Sequence, residues 1–255
     1  MMQRVVEVPL LPKRIVSLVP SQTELLYDLG LEESVVGVTN FCTRPKDWRK
    51  SKTLVGGTKK LNLEVVAALK PDLILGNKEE NDQQQIEALA KVFPVWMSDI
   101  YTLEDALDML NKVGALTHTQ KEATAISNSI KSSFKALPKA SNLSVLYLIW
   151  QEPFMAAGKH TFIHSMLKEA GFSNAITNTD RYPVLSSQEV NQINPDLIFL
   201  SSEPFPFKEK NRKQLQELFP NSKVLLADGE AFSWYGSRLL HTPSYFKELS
   251  SALSS

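Results

Sequence analysis

Cysteine is nearly absent from this sequence, since Cys42 is the only one in 255 residues. A disulfide within the chain and a zinc site built from several cysteines are therefore excluded. An excess of one charge is also absent, because 28 basic side chains balance 28 acidic ones. Proteins that bind nucleic acid or anionic membranes through charge accumulate lysine and arginine, so we expect neither partner.

Long apolar runs are missing as well. No stretch approaches the ~18 apolar residues of a membrane-spanning helix, so we predict no membrane insertion. The N-terminus does not match a secretory signal, because Glu7, Pro9 and Pro12 interrupt its apolar residues. As written, the chain is expected to be cytoplasmic; a leader missing from the sequence would instead make it an exported protein.

The motifs of common α/β enzymes do not occur. The chain has no G-x-S-x-G, no G-x-G-x-x-G and no G-x-x-x-x-G-K-[ST]. His160 and His164 are four residues apart, but the H-E-x-x-H pattern of a zinc site is missing. We therefore predict no catalytic residues, no metal bound directly by side chains and no covalently bound cofactor.

Short β-branched runs alternate with amphipathic segments through most of the chain. Arg14 to Pro20 reads as a buried strand, Ser21 and Glu24 have the spacing of a helix capping box, and Gly30 ends that helix. Further strands are expected at 35–39, 72–75, 92–96, 144–150, 196–200 and 224–227. This alternation predicts an α/β protein with mostly parallel sheets covered by helices on both faces.

The middle of the chain differs from both flanks. Residues 102–137 carry no strand signal, and a helix that starts near Thr119 is stopped by Pro138. We therefore predict an N-terminal α/β lobe at 1–101, a connecting helical segment at 102–138 and a C-terminal α/β lobe at 139–255.

One phrase occurs twice. LEVVAALKPDLIL starts at Leu63 and QEVNQINPDLIFL starts at Gln188, so that Glu64 and Glu189 lie 125 positions apart. Proline followed by Asp-Leu-Ile commonly ends a helix and begins a strand. Its occurrence at matching places in both halves favours an internal repeat of the lobe.

These motifs together resemble a known family. Arg14-Ile15-Val16-Ser17-Leu18-Val19-Pro20-Ser21-Gln22-Thr23-Glu24, then Val36-Gly37-Val38-Thr39, then Lys70-Pro71-Asp72-Leu73-Ile74 are similar to the helical-backbone (class III) substrate-binding proteins of ABC importers. The resemblance implies two Rossmann-like three-layer lobes joined by a single long α-helix. It also implies a monomer, located outside the cytoplasm, that holds cobalamin, haem or a ferric siderophore in the cleft between its lobes. The resemblance further implies that this monomer delivers its ligand to a permease dimer in the membrane.

The resemblance gives the two glutamates of the repeated phrase a role. Glu64 and Glu189 match the residues with which the cobalamin-binding branch docks onto permease arginines. The alternative reading is that both are ordinary first-turn glutamates, which the helix dipole favours.

Candidate ligand contacts follow from the rule that ligands of open α/β sheets bind beyond the carboxyl ends of strands. Aromatic side chains there would suit a large planar or macrocyclic ligand, and arginines would suit an anionic one. The cobalamin-binding branch carries a tryptophan where Thr58 stands here, so cobalamin itself is one option among several. The predicted ligand-binding residues are Ser21, Phe41, Cys42, Trp150, Phe154, Arg181, Tyr182, Trp234, Tyr235 and Arg238.

Two alternatives stay open at this point. The chain could be a cytoplasmic chelate-binding protein of the same fold that serves no transporter. It could also be an α/β enzyme, because tertiary contacts between catalytic groups are invisible in a sequence.

Overall fold

The computed structural model describes residues 7–138, 141 and 143–254. The chain divides into two compact units. Unit 1 consists of Met1–Ile100, Glu104–Lys131 and Tyr235–Arg238. Unit 2 consists of Tyr101–Leu103, Ser132–Trp234 and Leu239–Ser255.

Unit 1 contains a five-stranded sheet whose paired neighbours are all parallel, in the order β3-β2-β1-β4-β5. Its strands are β1 (Ile15–Ser17), β2 (Val35–Val38), β3 (Thr53–Leu54), β4 (Leu73–Asn77) and β5 (Val95–Ser98). The helices between them are α1 (Pro20–Asp28), α2 (Trp48–Ser51), α3 (Leu63–Ala68) and α4 (Gln83–Leu89). The central strands β1 and β4 are buried on both faces, as parallel strands covered by helices should be.

Two helices follow β5, namely α5 (Leu103–Leu116) and α6 (Gln120–Lys135). The boundary between the two units falls inside α6, after Lys131. Residues 102–137, all of which the structure describes, contain no strand, as the sequence predicted. The lobe limits and the single connecting helix stay predictions.

Unit 2 is built on a mixed sheet in the order β11-β10-β6-β7-β9, with β8 also paired to β6. Its strands are β6 (Ser144–Trp150), β7 (Phe154–Ala156), β8 (Ser173–Asn174), β9 (Val184–Leu185), β10 (Leu197–Ser201) and β11 (Lys223–Ala227). Its helices are α7 (Phe162–Glu169), α8 (Ser187–Ile193), α9 (Glu209–Leu218), α10 (Gly229–Ser233) and α11 (Thr242–Ser254), preceded by a 3-10 turn at Ser237–Leu240. The predicted α/β class with two helix-flanked sheets is confirmed.

Aromatic rings fill the core of unit 2. Tyr147 on β6 lies 5.0 Å, centroid to centroid, from Phe232, which in turn lies 4.9 Å from Phe246 of α11. Phe199 of β10 packs edge-on against Tyr147 at 6.4 Å. These side chains have almost no exposed surface, so they hold α10 and α11 against the sheet by apolar burial. No helix in the described part of the chain has both the length and the apolarity needed to cross a lipid bilayer.

The repeated phrase performs the same structural task in both units. Asp72, just before β4, accepts hydrogen bonds from the backbone N–H groups of Lys13 and Arg14 at 2.9 Å each. Asp196, just before β10, accepts from the backbone N–H and the hydroxyl of Ser144 at 2.7 Å each. In both units this aspartate lies one residue before the parallel pairing of a central strand, β1 with β4 and β6 with β10.

The helices of the two phrases also begin alike. Asn62 caps α3 by accepting from the N–H of Val65, and Ser186 caps α8 by accepting from the N–H of Glu189. Each phrase is therefore preceded by a helix cap, ends its helix before proline and secures the next strand to a central strand of its sheet. This agreement supports the internal repeat that the sequence favoured.

Two local predictions are wrong. Ser21 and Glu24 form no capping box, because α1 starts earlier, with Pro20 in its first turn and Val19 as its N-cap. Proline suits the first helical position, since its φ is already helical and its missing N–H would be unpaired there anyway. Phe154, expected in a loop, belongs to β7, which pairs antiparallel with β6 and β9. Strands of two or three residues carry too little periodicity to be recognised from sequence.

Candidate functional site

Buried amide side chains hold the loops at the carboxyl ends of β1, β4 and β5. Gln22 donates through Nε2 to the hydroxyl of Ser98 at 2.8 Å, and Asn77 donates through Nδ2 to the same hydroxyl at 3.0 Å. Asn81 accepts from the N–H of Asn77 at 2.8 Å and donates to the carbonyl of Leu18 at 3.3 Å. Because these groups are out of water, each bond fixes its loop, and this edge of unit 1 is rigid.

The segment Tyr235–Arg238 completes this edge of unit 1. The Arg238 guanidinium reaches both carboxylate oxygens of Glu24, and the two side chains are only 14% and 12% exposed. Burial raises the pKa of Glu24, although the adjacent arginine opposes the shift. The Tyr235 hydroxyl donates to Oε1 of Glu80 at 2.6 Å, and burial raises the pKa of this tyrosine. Ser21 is buried beside this segment, since its carbonyl oxygen would lie 3.1 Å from a Cβ placed on Gly236.

Phe41 and Cys42 are neighbours in sequence with opposite surroundings. Phe41 is 60% exposed, and its ring edge would lie 3.1 Å from a Cβ added at Gly57. Cys42 is fully buried, with Sγ 3.0 Å from the Thr23 hydroxyl and 3.2 Å from the Thr39 hydroxyl. Burial raises the pKa of the thiol. Phe41 can therefore meet a ligand, whereas Cys42 packs beneath it.

An exposed tryptophan packs against a partly buried phenylalanine at the carboxyl end of β6 in unit 2. Trp150 is 39% exposed, its ring lies 5.4 Å from that of Phe205, and its Nε1 donates to the carbonyl of Glu152 at 3.2 Å. Phe154 is half-buried and packs on Phe219 at 5.9 Å, as part of the apolar core of this unit. The indole and the Phe205 ring thus form an apolar wall. The hydrogen bond from Trp150 to Glu152 and the packing of Phe205 on the core fix its position.

Glu203 is a mostly buried carboxylate in the loop that follows β10. Its Oε1 accepts hydrogen bonds from the Ser233 hydroxyl and from Nε1 of Trp234, both at 2.7 Å. A Cβ on Gly229 would lie 2.6 Å from Cγ of Glu203, so only glycine allows α10 to approach this closely. Burial raises the pKa of Glu203. Trp234, predicted as a ligand contact, is itself buried and positions this carboxylate.

Arg181 and Tyr182 form a separate group in unit 2. The Arg181 guanidinium lies 5.8 Å from the ring centres of both Tyr101 and Tyr182, and it donates to the carbonyl of His160 at 3.0 Å. Its backbone pairs with Gly158 and has a left-handed φ of 64°. Because β7 runs antiparallel to β6, this pairing lies further from the carboxyl end of β6 than Phe154 does. The structure therefore does not bring Arg181 together with Trp150.

Both glutamates of the repeated phrase lie in the first turn of a helix and are exposed. Oε2 of Glu189 accepts from the N–H and the hydroxyl of Ser186 at 2.7 Å each, which completes a capping box. These bonds lower the pKa of Glu189, the backbone one most. Glu64 is not part of a capping box, because α3 is capped by the side chain of Asn62, which accepts from the N–H of Val65. The role of Glu189 in the capping box is therefore enough to explain its presence in the first turn of α8. The capping bonds use only Oε2 of this exposed side chain.

Histidines and acidic residues do not gather into a metal centre in the part of the chain that the structure describes. His160 pairs with Asp180 at 3.1 Å, and Nδ1 of His164 lies 3.2 Å from Nδ2 of Asn174. The i, i+4 histidine pair therefore has separate partners.

Sequence reasoning missed three contributors. Phe205 had a usable signal, because the run Pro204-Phe205-Pro206-Phe207 lies in the loop that follows the predicted strand at 196–200. The rule about strand ends selects the loop that contains Glu203, but the hydrogen bonds of Glu203 and the pairing of Glu24 had no sequence signal, since both depend on residues that are distant in sequence, 214 positions in the case of Arg238.

Comparison with known proteins identifies the family. The family model described as "Periplasmic binding protein" matches residues 15–225, which is most of the chain. The chain belongs to the periplasmic binding protein family. Like other members, this periplasmic binding protein has two α/β units, and the family consists of binding proteins.

Three relatives illustrate the similarity. An uncharacterized ABC transporter substrate-binding lipoprotein of Bacillus subtilis, YvrC, is 30% identical over 200 residues, 73% of this chain and 63% of that protein. The vitamin B12-binding protein of Pectobacterium atrosepticum is 26% identical over 241 residues, 90% of this chain and 85% of that protein. The crystal structure of a possible iron-binding (periplasmic solute-binding) protein from Staphylococcus epidermidis superposes with a TM-score of 0.78 at 24% identity, covering 96% of this chain and 99% of that one. This last likeness shows the shared fold alone.

Proposed function

We propose that this chain is the substrate-binding component of an ABC importer and that it captures a cobalamin-like or iron-chelate ligand, haem included. Family membership and the printed functions of the Bacillus and Pectobacterium relatives support this proposal. The lipoprotein of Bacillus subtilis and the periplasmic solute-binding protein of Staphylococcus epidermidis favour a location outside the cytoplasm, and neither supports the cytoplasmic alternative. We propose binding without catalysis, in a monomer.

The observation that carries the ligand class is the exposed indole of Trp150, which packs on the partly buried ring of Phe205. Covering one large apolar side chain contributes about 1.5–3 kcal/mol, so a stably exposed indole is a favourable contact for a flat or macrocyclic ligand. Phe41 offers a second exposed ring in unit 1. We propose direct contacts through the accessible candidates, which are Phe41, Trp150, Phe154, Arg181 and Tyr182. The buried candidates shape the loops instead, and they are Ser21, Cys42, Trp234, Tyr235 and Arg238.

Calorimetric titration of the purified chain with cyanocobalamin, haem and a set of ferric siderophores tests this function. We expect at least one member to bind with a dissociation constant in the micromolar range or below. Trp150→Ala should weaken that binding by about tenfold or more, because exposed aromatic anchors are typical hot spots. Val92→Ala is the matched control, since Val92 is 73% exposed and lies just before β5, away from the strand carboxyl ends. If no ligand in the set binds below millimolar concentration, the proposal is wrong.

We also propose that Glu64 and Glu189 dock onto a permease dimer. Their exposure at equivalent positions of the two units supports this proposal. Glu64→Gln with Glu189→Gln removes both charges but keeps the capping oxygen at 189, since glutamine also forms a capping box. The double variant should bind the cognate importer more weakly and its ligand unchanged, whereas Glu217→Gln, an exposed charge on α9, should do neither. Unaltered binding of the double variant to the importer would refute docking through these residues.

A further inference from the structure

The side-chain amide of Asn174 joins three parts of unit 2. Asn174, at the end of β8, is only 8% exposed. Its Oδ1 accepts from the N–H of Ile176 at 2.9 Å, and its Nδ2 donates to the carbonyl of Ala157 at 2.9 Å. The same Nδ2 lies 3.2 Å from Nδ1 of His164 on α7. The amide therefore ties the loop after β7, the chain after β8 and the helix α7 to one another.

The two backbone contacts fix the orientation of this amide. If it were turned over, its NH2 would face the N–H of Ile176 and its oxygen would face the carbonyl of Ala157, two repulsive pairs out of water. With Nδ2 on the side of His164, the second N–H of the amide donates to the ring. Nδ1 is therefore the acceptor, and the neutral imidazole carries its proton on Nε2. A protonated imidazole would place N–H against N–H.

Charged groups near His164 act in the same direction. Burial lowers the pKa of His164, and the positive charges of Lys168, protonated His160 and Lys159 lower it further. Lys168 lies one turn further along α7, and the other two lie in the loop before this helix. The charges that shift this pKa thus all oppose protonation. The remaining charged groups on α7, on α10 that packs against it and on the segment that pairs with the loop are Glu169, Glu230, Asp180 and Arg181.

The chain that follows Asn174 pairs with the loop before α7. The N–H of Arg181 donates to the carbonyl of Lys159 at 2.7 Å, and the N–H of Lys159 donates to the carbonyl of Thr179 at 2.9 Å. A Cβ on Gly158 would lie 2.4 Å from the carbonyl oxygen of Thr179, so this close pairing requires glycine. Thr161, the N-cap of α7, donates to the carbonyl of Gly158 at 2.8 Å. The start of α7, the loop before it and residues 176–182 therefore form one hydrogen-bonded unit.

A second histidine in this unit responds to acid in the opposite sense. Nδ1 of His160 lies 3.1 Å from Oδ1 of Asp180, and protonation would strengthen this pair. Both side chains are mostly exposed, so the pair contributes little. The contact of His164 with the buried Asn174 is therefore the stronger titrating contact of the two.

We propose that the contact between His164 and Asn174 is a proton-sensitive latch, which holds residues 176–182 while the imidazole is neutral and releases them when the imidazole takes up a proton from water. Release begins at Ile176, because the amide of Asn174 has to give up a backbone partner to move its NH2 away from a cationic ring. The released segment carries Arg181 and Tyr182. The inference concerns the chain without ligand and does not depend on the proposed function.

Acid should weaken this part of unit 2. Because folding lowers the pKa of His164, its neutral form contributes stability that is present above the unfolded value of 6.5 and is lost as pH falls through the folded value. Amide hydrogen exchange at about pH 5 and about pH 8, corrected for intrinsic rates, measures the effect on the full chain. The amides of Ile176, Lys159 and Arg181 should open about tenfold more often at the lower pH, the effect of leaving one buried polar group unpaired.

Two histidine variants make the test specific. His164→Asn keeps an acceptor for Asn174, since Oδ1 of asparagine and Nδ1 of histidine are both bonded to Cγ, and it cannot be protonated in this range. This variant should keep the same protection at both pH values. His118→Asn changes an exposed histidine in the turn between α5 and α6 and should retain the pH dependence of the parent chain. Amides of the buried strand β10 serve as the internal reference, because global unfolding would expose them as well.

An NMR titration of the His164 ring in the parent chain provides a second measurement, which does not require any variant to fold. The latch predicts a folded-state pKa below 6.5 and a chemical-shift change at the N–H of Ile176 that follows the same titration. A pKa at or above 6.5 would overturn the proposal. Equal protection of the parent chain at both pH values, or an equal loss in His164→Asn, would overturn it too.

Discussion

Replacing Glu24 by alanine removes one partner of a buried ion pair and leaves the other in place. Both side chains are about seven-eighths buried, at 12% and 14% exposure, so water can solvate the Arg238 guanidinium only to a small extent once the Glu24 carboxylate is removed. Breaking such a pair costs about 3–5 kcal/mol, most of it the desolvation of the remaining charge. A pair on α9, Glu209 with Arg212, makes the contrast, because these side chains are 55% and 31% exposed. Glu209→Ala should cost no more than ~1 kcal/mol.

Urea unfolding followed by circular dichroism and tryptophan fluorescence measures both losses in the free energy of unfolding. A second substitution, Arg238→Met in the Glu24→Ala background, should recover much of the stability, because it removes the unpaired charge and keeps apolar volume. A loss below ~1 kcal/mol for Glu24→Ala, or no recovery in the double variant, would refute the reasoning. The first result would mean that the arginine reaches water, and the second that packing rather than charge dominates.

Three further predictions follow from single contacts. Because burial raises the folded-state pKa of Glu203, its contribution to stability is complete below the unfolded value of 4.5 and is lost as pH rises through the raised value. Glu203→Gln should therefore gain stability relative to the parent chain across that window, and an equal pH profile for both proteins would contradict this. Ser186→Ala should cost about 1 kcal/mol in chemical denaturation by removing the α8 cap, whereas Glu189→Gln should cost much less. Cys42 should react with a thiol reagent only after unfolding, so rapid labelling of the native protein would show that its burial is wrong.

Local chemistry explains why much of the fold was predictable. The run Ser144–Trp150 is apolar and β-branched, and it forms strand β6 over the predicted residues. Gly30 adopts a left-handed φ of 74° at the end of α1, where sequence reasoning placed the stop, and Gly171 adopts a left-handed φ of 87° after α7. The repeated phrase was recognisable because a proline that ends a helix acts over a few residues, whereas the hydrogen bonds of its aspartates to residues more than 50 positions away were visible only in the structure.

The candidate site was predictable only in part. Trp150 and Phe41 are exposed aromatics at the strand ends that topology selects, so a rule about open α/β sheets was enough to find them. Cys42 and Trp234 satisfy the same rule but are buried, because exposure depends on what packs above a loop. Arg181 stays a proposed contact, but the antiparallel register of β7 places it further from the strand ends than Trp150, which the sequence did not reveal.

By itself, the sequence determined the α/β class and the helical middle, since these depend on contacts between residues close along the chain, and it located the two phrases at matching places in the two halves. Tertiary structure alone decided the partners of charged groups. Glu24 has the spacing of a capping residue, yet it binds Arg238, because a carboxylate withdrawn from water is stabilised far more by a guanidinium than by a helix end that proline has already started. In the same way, only the approach of α10 through Gly229 gave the carboxylate of Glu203 its hydrogen bonds from Ser233 and Trp234.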